Sequence, residues 1–382
     1  MSRILAIAAG LGLCAAAWAQ APQLYDSRAS LGEALFFDVN LSRNRTQACA
    51  SCHDPETGFA DPRGTLADMP SSLGDDGSSI GDRNAPTASY AAFSPRFHQN
   101  AQGKWIGGQF LDGRAADLKG QAGGPPLNPV EMGMPDRASV VARLRENPSY
   151  VNSFAALYAP DVLADADTGY DAMTDAIAAF EQTELFAPFD SKYDRFLRGE
   201  AELTREEELG RLLFFSQQFT NCNLCHQLRT SPVAADETFS NYEYHNIGVP
   251  RNPELQEDLG RSLVDNGLKN NVDAPENAGK FKVPTLRNVA VTGPYMHNGV
   301  FTDLRTVILF YNKYNSRAEA RQINPETGQV WGAPEVAQNI SVKELETGPA
   351  LEDARIDALV AFLKTLTDAR YEPLLSDPET AR

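Results

Sequence analysis

Two copies of the motif C-x-x-C-H constrain this chain of 382 residues more than any other feature. One copy is Cys49-Ala-Ser-Cys52-His53, and the other is Cys222-Asn-Leu-Cys225-His226. The motif is typical of covalent c-type haem attachment, in which both thiols add to the haem vinyl groups. The spacing holds the two sulfurs at one edge of the macrocycle and brings the histidine under the iron as its proximal ligand. The sequence therefore predicts two covalent haems.

Zinc held by two C-x-x-C pairs is the competing interpretation of the same cysteines. It leaves the two matched histidines unexplained, so we favour haem. The chain has five cysteines, and four of them belong to the motifs. The fifth, Cys14, lies in a segment that we expect to be removed, and no cysteine then remains for a disulfide.

The first 19 residues have the pattern of a secretory signal peptide. Arg3 supplies a positive charge, residues 4–17 are apolar, and Ala17-Trp18-Ala19 is an A-x-A cleavage site. The apolar run is too short for a membrane span. We therefore expect an exported protein that begins near Gln20 and resides in the periplasm, because c-type haem is attached outside the bacterial cytoplasm.

Charge narrows the range of partners. The formal net charge is −17 at pH 7. Such an acidic chain is not expected to bind nucleic acid or an anionic membrane, because both require basic patches. The charge is compatible with a partner protein that has a positive face, and equally with simple solubility.

An internal repeat accompanies the two haem motifs. Leu31-Gly-Glu-Ala-Leu-Phe-Phe37 precedes the first motif, and Leu209-Gly-Arg-Leu-Leu-Phe-Phe215 precedes the second. Both segments have the apolar spacing of a helix, and Thr204 with Glu207 predicts a capping box before the second. The fold class that follows is mainly α, with two cytochrome c-like helical domains that each hold one covalent haem.

The chain is long enough for two such domains. We predict an N-terminal haem domain over residues 20–190 and a C-terminal haem domain over residues 191–382, which meet around residues 187–202. Long irregular loops are expected within them, for example over residues 69–86 and 322–334, which are rich in Gly, Pro, Asn and Asp.

A terminal helix is expected to pack over the second haem unit. Asp353 is its predicted cap. Its apolar residues share one helical face; they are Ile356, Leu359, Val360, Leu363 and Leu366.

The ligands opposite the proximal histidines are not determined by spacing. Three further histidines remain, His98, His245 and His297, and the chain has six methionines. A free histidine is more often a hydrogen-bonding residue, whereas methionine is a common sixth ligand in c-type electron carriers. Residue types alone therefore leave the sixth ligands open.

Seven further motifs run through both halves of the chain. They are Gly81-Asp-Arg-Asn-Ala-Pro-Thr87, Phe110-Leu-Asp-Gly-Arg114, Leu127-Asn-Pro-Val-Glu-Met132, Glu243-Tyr-His-Asn-Ile-Gly-Val-Pro250, Val283-Pro-Thr-Leu-Arg-Asn-Val289, Thr292-Gly-Pro-Tyr-Met-His-Asn-Gly299 and Leu309-Phe-Tyr-Asn-Lys-Tyr314. On these motifs the chain resembles the bacterial dihaem cytochrome c peroxidases over nearly its full mature length. The resemblance implies an enzyme that reacts with hydrogen peroxide.

One position separates the branches of that family. Ordinary members carry a methionine ligand fourteen residues after the histidine of the P-Y-x-H motif, here His297, and Tyr311 occupies this place. In this the chain resembles the branch that completes the tryptophan tryptophylquinone cofactor of methylamine dehydrogenase. A tyrosinate oxygen is a hard anionic donor that stabilises oxidised iron. The resemblance therefore implies His226 and Tyr311 as ligands of a low-potential second haem.

The resemblance also implies that the first haem is the peroxide site, with His53 on one face and the other face open. Its distal pocket would include Gln121, Pro125 and Glu131. Cleavage of the peroxide O–O bond requires a proton to move from one oxygen to the other, and Glu131 is the candidate carboxylate for that transfer.

A calcium ion between the haems is a further implication. Asn84, Thr292 and Pro294 match the family's calcium ligands, two of which would act through backbone carbonyl oxygens, as suits a hard cation. The chain departs from the family pattern at Leu111 and at Thr220, where tryptophans implicated in charge transfer are replaced.

The function implied is a periplasmic oxidoreductase that uses hydrogen peroxide, or oxygen plus electrons, to reach a highly oxidised dihaem state. That state would oxidise aromatic residues of a partner protein, such as the methylamine dehydrogenase precursor. One alternative is a peroxidase that takes electrons from a small cytochrome c or a cupredoxin. Another is a dihaem electron carrier without enzymatic activity.

The motifs predict how the chain responds to loss of single thiols. Changing Cys49 or Cys52 to alanine should weaken attachment of the first haem only, and changing Cys222 or Cys225 should weaken attachment of the second. Intact-protein mass spectrometry measures the number of haems. A wild-type mass with one haem, or with zinc, would contradict the dihaem interpretation.

Overall fold

The computed structural model describes residues 24–67, 69–231 and 233–376. The expected signal peptide and Cys14 lie outside these ranges. Across the described ranges the regular structure is mainly helical, as expected, and no helix there is long and apolar enough to cross a membrane. The α-helices are α1 (Arg28–Phe36), α2 (Pro62–Ala67), α3 (Leu118–Ala122), α4 (Arg137–Arg145), α5 (Pro148–Leu157), α6 (Ala166–Phe180), α7 (Lys192–Leu197), α8 (Arg205–Phe214), α9 (Pro253–Asp258), α10 (Leu304–Asn312), α11 (Val342–Leu345) and α12 (Asp353–Lys364).

The strands form antiparallel pairs of two residues each. They are β1 (His98–Gln99) with β2 (Trp105–Ile106), β3 (Tyr244–His245) with β4 (Phe281–Lys282), and β5 (Ile323–Asn324) with β6 (Gln329–Val330). The last pair is a small hairpin inside the loop predicted over residues 322–334. Gly328 has φ +67° at its turn, a conformation that glycine adopts without steric cost.

The hydrophobic core has two parts. The first lies within residues 31–186 and the second within residues 193–366. In the first part α1 packs against α6, and in the second α8 packs against α12. The first cluster ends at Phe186, and the second begins at Tyr193, inside the stretch 187–202 where the two halves are predicted to meet.

The helix that carries the internal repeat has a capped N-terminus in each half. Ser27 and Ser30 form a reciprocal cap at α1, and Thr204 and Glu207 form the predicted capping box at α8. The predicted cap of the terminal helix is wrong: Glu352 occupies the N-cap position of α12, and Asp353 is its first helical residue. The Asp353 carboxylate instead accepts hydrogen bonds from Arg305 and Arg321, at 2.6 and 3.0 Å, which draws it away from the helix backbone.

The glycine of the internal repeat allows each helix pair to approach closely. A Cβ atom on Gly32 would overlap the carbonyl oxygen of Ala176 in α6, and a Cβ atom on Gly210 would overlap that of Ala358 in α12. The repeat therefore produces the same close glycine contact between two helices in each half of the chain. In both halves it brings the Phe-Phe end of the first helix next to the haem motif that follows.

Gly210→Ala tests this contact. The added methyl group must push α8 away from α12, and we expect a loss of about 2 kcal/mol in the free energy of unfolding. Urea denaturation of the haem-loaded protein measures it. Leu209→Ala is the matched control because Leu209 is exposed. Equal midpoints for Gly210→Ala, the control and the wild type would contradict the close crossing.

Candidate haem sites

The two C-x-x-C-H motifs adopt the same local structure. Cys49–Ser51 and Cys222–Leu224 each form one turn of 3-10 helix. The backbone N–H of His53, and likewise that of His226, donates to the carbonyl oxygen of the first cysteine of its motif, at 3.0 and 2.9 Å. This tight turn brings the two thiols and the imidazole of each motif together, as covalent haem attachment requires.

A backbone carbonyl oxygen orients each motif histidine. Nδ1 of His53 lies 3.2 Å from the oxygen of Phe59, and Nδ1 of His226 lies 3.1 Å from that of Phe239. Both phenylalanines are fully buried and have φ 56°. This left-handed conformation costs about 1–2 kcal/mol for a residue with a side chain. With Nδ1–H donated to the carbonyl oxygen, Nε2 is left with a free lone pair for a metal.

The motif thiols suit a covalent link better than a zinc site. All four are free of disulfides, and burial raises the pKa of Cys49 to about 12 and those of Cys52 and Cys222 to about 11. Within the described ranges no three His, Cys, Asp or Glu side chains converge on a point that could hold a metal ion. The two C-x-x-C pairs therefore do not meet as a zinc cage.

A cavity of about 350 Å³ adjoins the second motif, and we call it the second cavity after that motif. Its wall includes Cys222, Cys225, His226 and Tyr311, the last of which lies on α10. Burial raises the pKa of Tyr311 above its ordinary value, and the neighbouring cysteines add to the shift. A phenolate here therefore needs a cation beside it. The wall residues Cys222, Cys225, His226 and Tyr311 would suit a covalently attached haem.

The other three histidines have partners in the protein. Nδ1 of His98 lies 2.8 Å from the carbonyl oxygen of Arg96 on the surface. His245 lines the second cavity, with Nδ1 3.1 Å from Oγ of Ser341. Nε2 of His297 lies 3.3 Å from a carboxylate oxygen of Glu335.

Gln121, Pro125 and Glu131 lie on one folded segment. The backbone N–H of Gly124 donates to the Gln121 carbonyl oxygen at 2.8 Å, and that of Met132 donates to the Pro125 carbonyl oxygen at 3.2 Å. The Glu131 carboxylate is close enough to both thiols of the first motif to raise their pKa values. The structure therefore places Glu131 near Cys49 and Cys52, on the same folded segment as Gln121 and Pro125.

Three environmental effects set the protonation of Glu131. Burial raises its pKa, whereas the nearby Arg114 guanidinium and the side-chain amide of Asn128 lower it. Asn128 Nδ2 donates to Oε1 of Glu131 at 2.8 Å. The balance is a pKa above the ordinary value, which suits a carboxyl group that gains and releases a proton.

Arg114 is a part of this site to which the sequence assigned no role. Its guanidinium lies 3.5 Å from the ring centroid of Phe110 and 3.1 Å from the Asp112 carboxylate. The one sequence feature that could have identified Arg114 is its position in the motif over residues 110–114. Arg114 therefore supplies a positive charge near the Glu131 carboxylate.

Glu181 is a second residue that the sequence did not single out. It follows α6, is 5% exposed, and has a carboxylate oxygen, Oε2, without a hydrogen-bond partner. Burial raises its pKa to about 8, and its charge acts on Cys49. A glutamate at a helix end looks like a surface residue in a sequence, so no pattern could have found it.

The three predicted calcium residues also lie together. Asn84 Nδ2 donates to the carbonyl oxygen of Pro294 at 2.6 Å, and Thr292 lies on the same turn as Pro294. All three line the second cavity. A cation would require the Asn84 side-chain oxygen, rather than its nitrogen, to face the carbonyl group, which is a simple amide flip.

Leu111 and Thr220, which stand where the resemblance implies tryptophans, have no oxidisable ring. Leu111 lines the second cavity, and its carbonyl oxygen accepts the N–H of Lys282 at 2.8 Å. Thr220 is buried, and its hydroxyl donates to the carbonyl oxygen of Leu213 at 2.6 Å. The indole of Trp105 is instead stacked on Phe97, with ring centroids 4.8 Å apart.

Comparison with known proteins agrees with this geometry. A family model described as di-haem cytochrome c peroxidase matches residues 26–202. The chain is 56% identical to the methylamine utilization protein MauG of Paracoccus denitrificans over 367 residues, which cover 95% of this chain and 94% of that protein. It is 31% identical to the cytochrome c551 peroxidase of Pseudomonas aeruginosa over 287 residues, which cover 74% of this chain and 71% of that protein.

A solved structure has a similar fold. The diheme peroxidase BthA from Burkholderia thailandensis superposes with a TM-score of 0.82 and 33% sequence identity. The superposition covers 94% of this chain and 90% of that one. Both the sequence and the fold are therefore shared with dihaem enzymes over most of their length.

Glu181→Gln tests the buried carboxyl group through pH. The folded chain keeps Glu181 protonated up to about pH 8, whereas the unfolded chain ionises it near 4.5, so stability is lost as pH rises between these values. The variant should therefore be more stable than the wild type by about 3 kcal/mol at pH 7.

Denaturation from pH 4 to pH 9 measures this difference. It should be absent at the acid end, grow with pH, and level off above about pH 8. Glu184→Gln is the control, because Glu184 is exposed three residues along the chain. A difference that does not change with pH would show that Glu181 is not a neutral buried acid.

Proposed function

The chain belongs to the di-haem cytochrome c peroxidase family and is a haem oxidoreductase, and from this premise we propose a MauG-like activity. The substrates are hydrogen peroxide, or oxygen plus electrons, and an aromatic side chain on a partner protein. The methylamine dehydrogenase precursor is the proposed partner. The observation that carries this assignment is Tyr311 in the wall of the second cavity, together with Cys222, Cys225 and His226.

The two haems, when bound, supply one centre that is open to peroxide and a second that stores or passes on charge. His53 and His226 are the proposed proximal ligands, and Tyr311 is the proposed second ligand of the second haem. The carbonyl oxygens of Phe59 and Phe239 hold the two imidazoles in one tautomer. The backbone around each motif therefore prepares the ligand before the metal is present.

Glu131 is the proposed proton carrier at the first site. Asn128 fixes one carboxylate oxygen, Oε1, and leaves Oε2 free to take a proton from one peroxide oxygen and give it to the other. Burial raises the pKa of Glu131, which makes the carboxylate a better proton acceptor during that transfer. Gln121 and Pro125 are proposed to shape the pocket on the same segment, and Arg114 to balance the charge of Glu131.

Three further assignments belong to the same proposal. The protein is exported to the periplasm, a calcium ion is held by Asn84, Thr292 and Pro294, and residues 20–190 and 191–382 form the two haem domains. The contact between Asn84 and the Pro294 carbonyl oxygen supports the calcium site. The two separate core clusters support the domain division.

A peroxidase that draws electrons from a small cytochrome c or a cupredoxin is the second candidate. It is favoured by the absence of oxidisable rings at Leu111 and Thr220, through which charge would otherwise pass to a protein substrate. The net charge of −17 also suits a donor with a basic face.

One experiment separates the two candidates. Peroxide is added to the holoenzyme with unprocessed methylamine dehydrogenase in one sample and with reduced cytochrome c in another. We expect the absorbance of the mature quinone cofactor to develop in the first sample, with only slow oxidation of cytochrome c in the second. Rapid cytochrome c turnover without quinone formation would replace the MauG-like assignment by the peroxidase.

Tyr311→Phe tests the proposed ligand. The change removes the phenolic oxygen, so the second haem should lose its low-spin ferric signal in electron paramagnetic resonance and gain a high-spin signal. Tyr314→Phe is the matched control: its hydroxyl donates to the Ile247 carbonyl oxygen at 2.9 Å, and its loss should leave the spectrum unchanged. An unaltered low-spin signal in Tyr311→Phe would assign the ligand to another residue, with His245 or Met296 the next candidates.

A further inference from the structure

A lysine lies deep in the junction between the two halves of the molecule. Lys282 is on β4, and its backbone N–H donates to the Leu111 carbonyl oxygen at 2.8 Å. Its ammonium donates to the carbonyl oxygen of Gly108 and to Oγ of Ser94, the latter at 3.3 Å. The side chain thus reaches from the C-terminal half into loops of the N-terminal half.

This ammonium has no counter-charge in the described part of the chain. No carboxylate oxygen there comes within 4.0 Å of Nζ. Asp112 acts on it from a greater distance and is already paired with Arg83 at 2.8 Å and with Arg114 at 3.1 Å. Burial lowers the pKa of Lys282 to about 7 as a result. An unpaired charge is strongly disfavoured in such a place, so an anion is expected beside it.

The second cavity has room for an anion beside Lys282. Lys282 lines it together with Leu111 and Phe281. An ammonium has three donors, and Gly108 and Ser94 accept from two of them. One donor is therefore left, and Lys282 is among the residues that line the cavity.

A haem attached to the motif thiols would carry its two carboxylates, the propionates, at the far side of the macrocycle. Cys222 and Cys225 bind the vinyl edge of a haem, and the two propionates lie at the opposite edge of the macrocycle. Among the described residues, no hydrogen bond joins Lys282 to Cys222, Cys225 or His226. Its ammonium instead contacts Gly108 and Ser94, on the side of the cavity that faces the N-terminal half. It therefore lies on a wall that the propionate edge can face.

We propose that the ammonium of Lys282 is the counter-charge of a propionate carboxylate of the haem in the second cavity. The proposal rests on the second haem of the proposed function and makes Lys282 a positioning residue for it. A cation beside a haem disfavours the more positive ferric state by Coulomb repulsion. Lys282 therefore raises the midpoint potential of this haem and opposes the lowering effect of Tyr311.

Lys282→Met tests the proposal on the holoenzyme. Spectroelectrochemical titration should show a lower midpoint potential for the second haem and no change for the first. Resonance Raman spectroscopy should show a shift of the propionate bending band. Lys282→Arg keeps the charge and changes the donor, so the potential should stay near that of the wild type while the band still shifts.

Lys269→Met is the matched control. It also removes one lysine, but its side chain is 37% exposed and its ion pair with Asp273 is long, at 4.0 Å. Neither the potential nor the band should change in it. Wild-type potentials and an unshifted propionate band in folded Lys282→Met would overturn the proposal. If that variant does not fold, an unshifted band in Lys282→Arg overturns it.

The spectrum of Tyr311→Phe separates this proposal from the proposed function. Loss of the low-spin signal in Tyr311→Phe supports the second haem and its ligand, irrespective of the behaviour of Lys282. An unshifted propionate band in a protein that passes that test contradicts the role of Lys282 alone.

Discussion

The hydrogen bond between a motif histidine and a buried backbone carbonyl oxygen is the interaction on which both sites depend. It is made twice, by His53 with Phe59 and by His226 with Phe239. Each phenylalanine has a left-handed backbone conformation that aims its carbonyl oxygen at the imidazole. Packing must hold this conformation, because it is unfavourable for a residue with a side chain. The ring of Phe59 packs edge-on against Phe36, and that of Phe239 packs edge-on against Phe214.

The internal repeat supplies that packing. Its glycine lets α1 approach α6 and α8 approach α12, and its aromatic end places Phe36 and Phe214 in the two cores. One short pattern of sequence thus controls helix packing, the left-handed phenylalanine and the orientation of the ligand in each half. Around this shared frame the two sites differ, since carboxyl and guanidinium groups collect at the first and a phenol and an ammonium at the second.

The features that could be predicted from the sequence are local ones. The haem motifs, the repeat, the capping box at Thr204 and the helical character all follow from spacing and residue type. The cap at Asp353 was predicted wrongly because Arg305 and Arg321 compete for its carboxylate. Glu181 and Lys282 could not be predicted because burial of a charged side chain is decided by tertiary packing, and a sequence shows only that the residue is charged. Arg114 is exposed, and its nearness to Glu131 likewise arises only from the tertiary fold. The resemblance named Tyr311 and Glu131, which residue types alone would have left among many tyrosines and glutamates.

The central claim is that the two haem sites differ in their ligands, and Tyr311 at the second site is the residue that most clearly distinguishes them. Resonance Raman spectroscopy of the ferric protein, produced with ring-deuterated tyrosine, tests it directly. An iron-bound phenolate should give tyrosine ring bands that shift with the label and that are absent from the spectrum of Tyr311→Phe. A spectrum without any label-dependent band would mean that no tyrosine binds iron, and the second site would then be an ordinary haem with a histidine or methionine ligand.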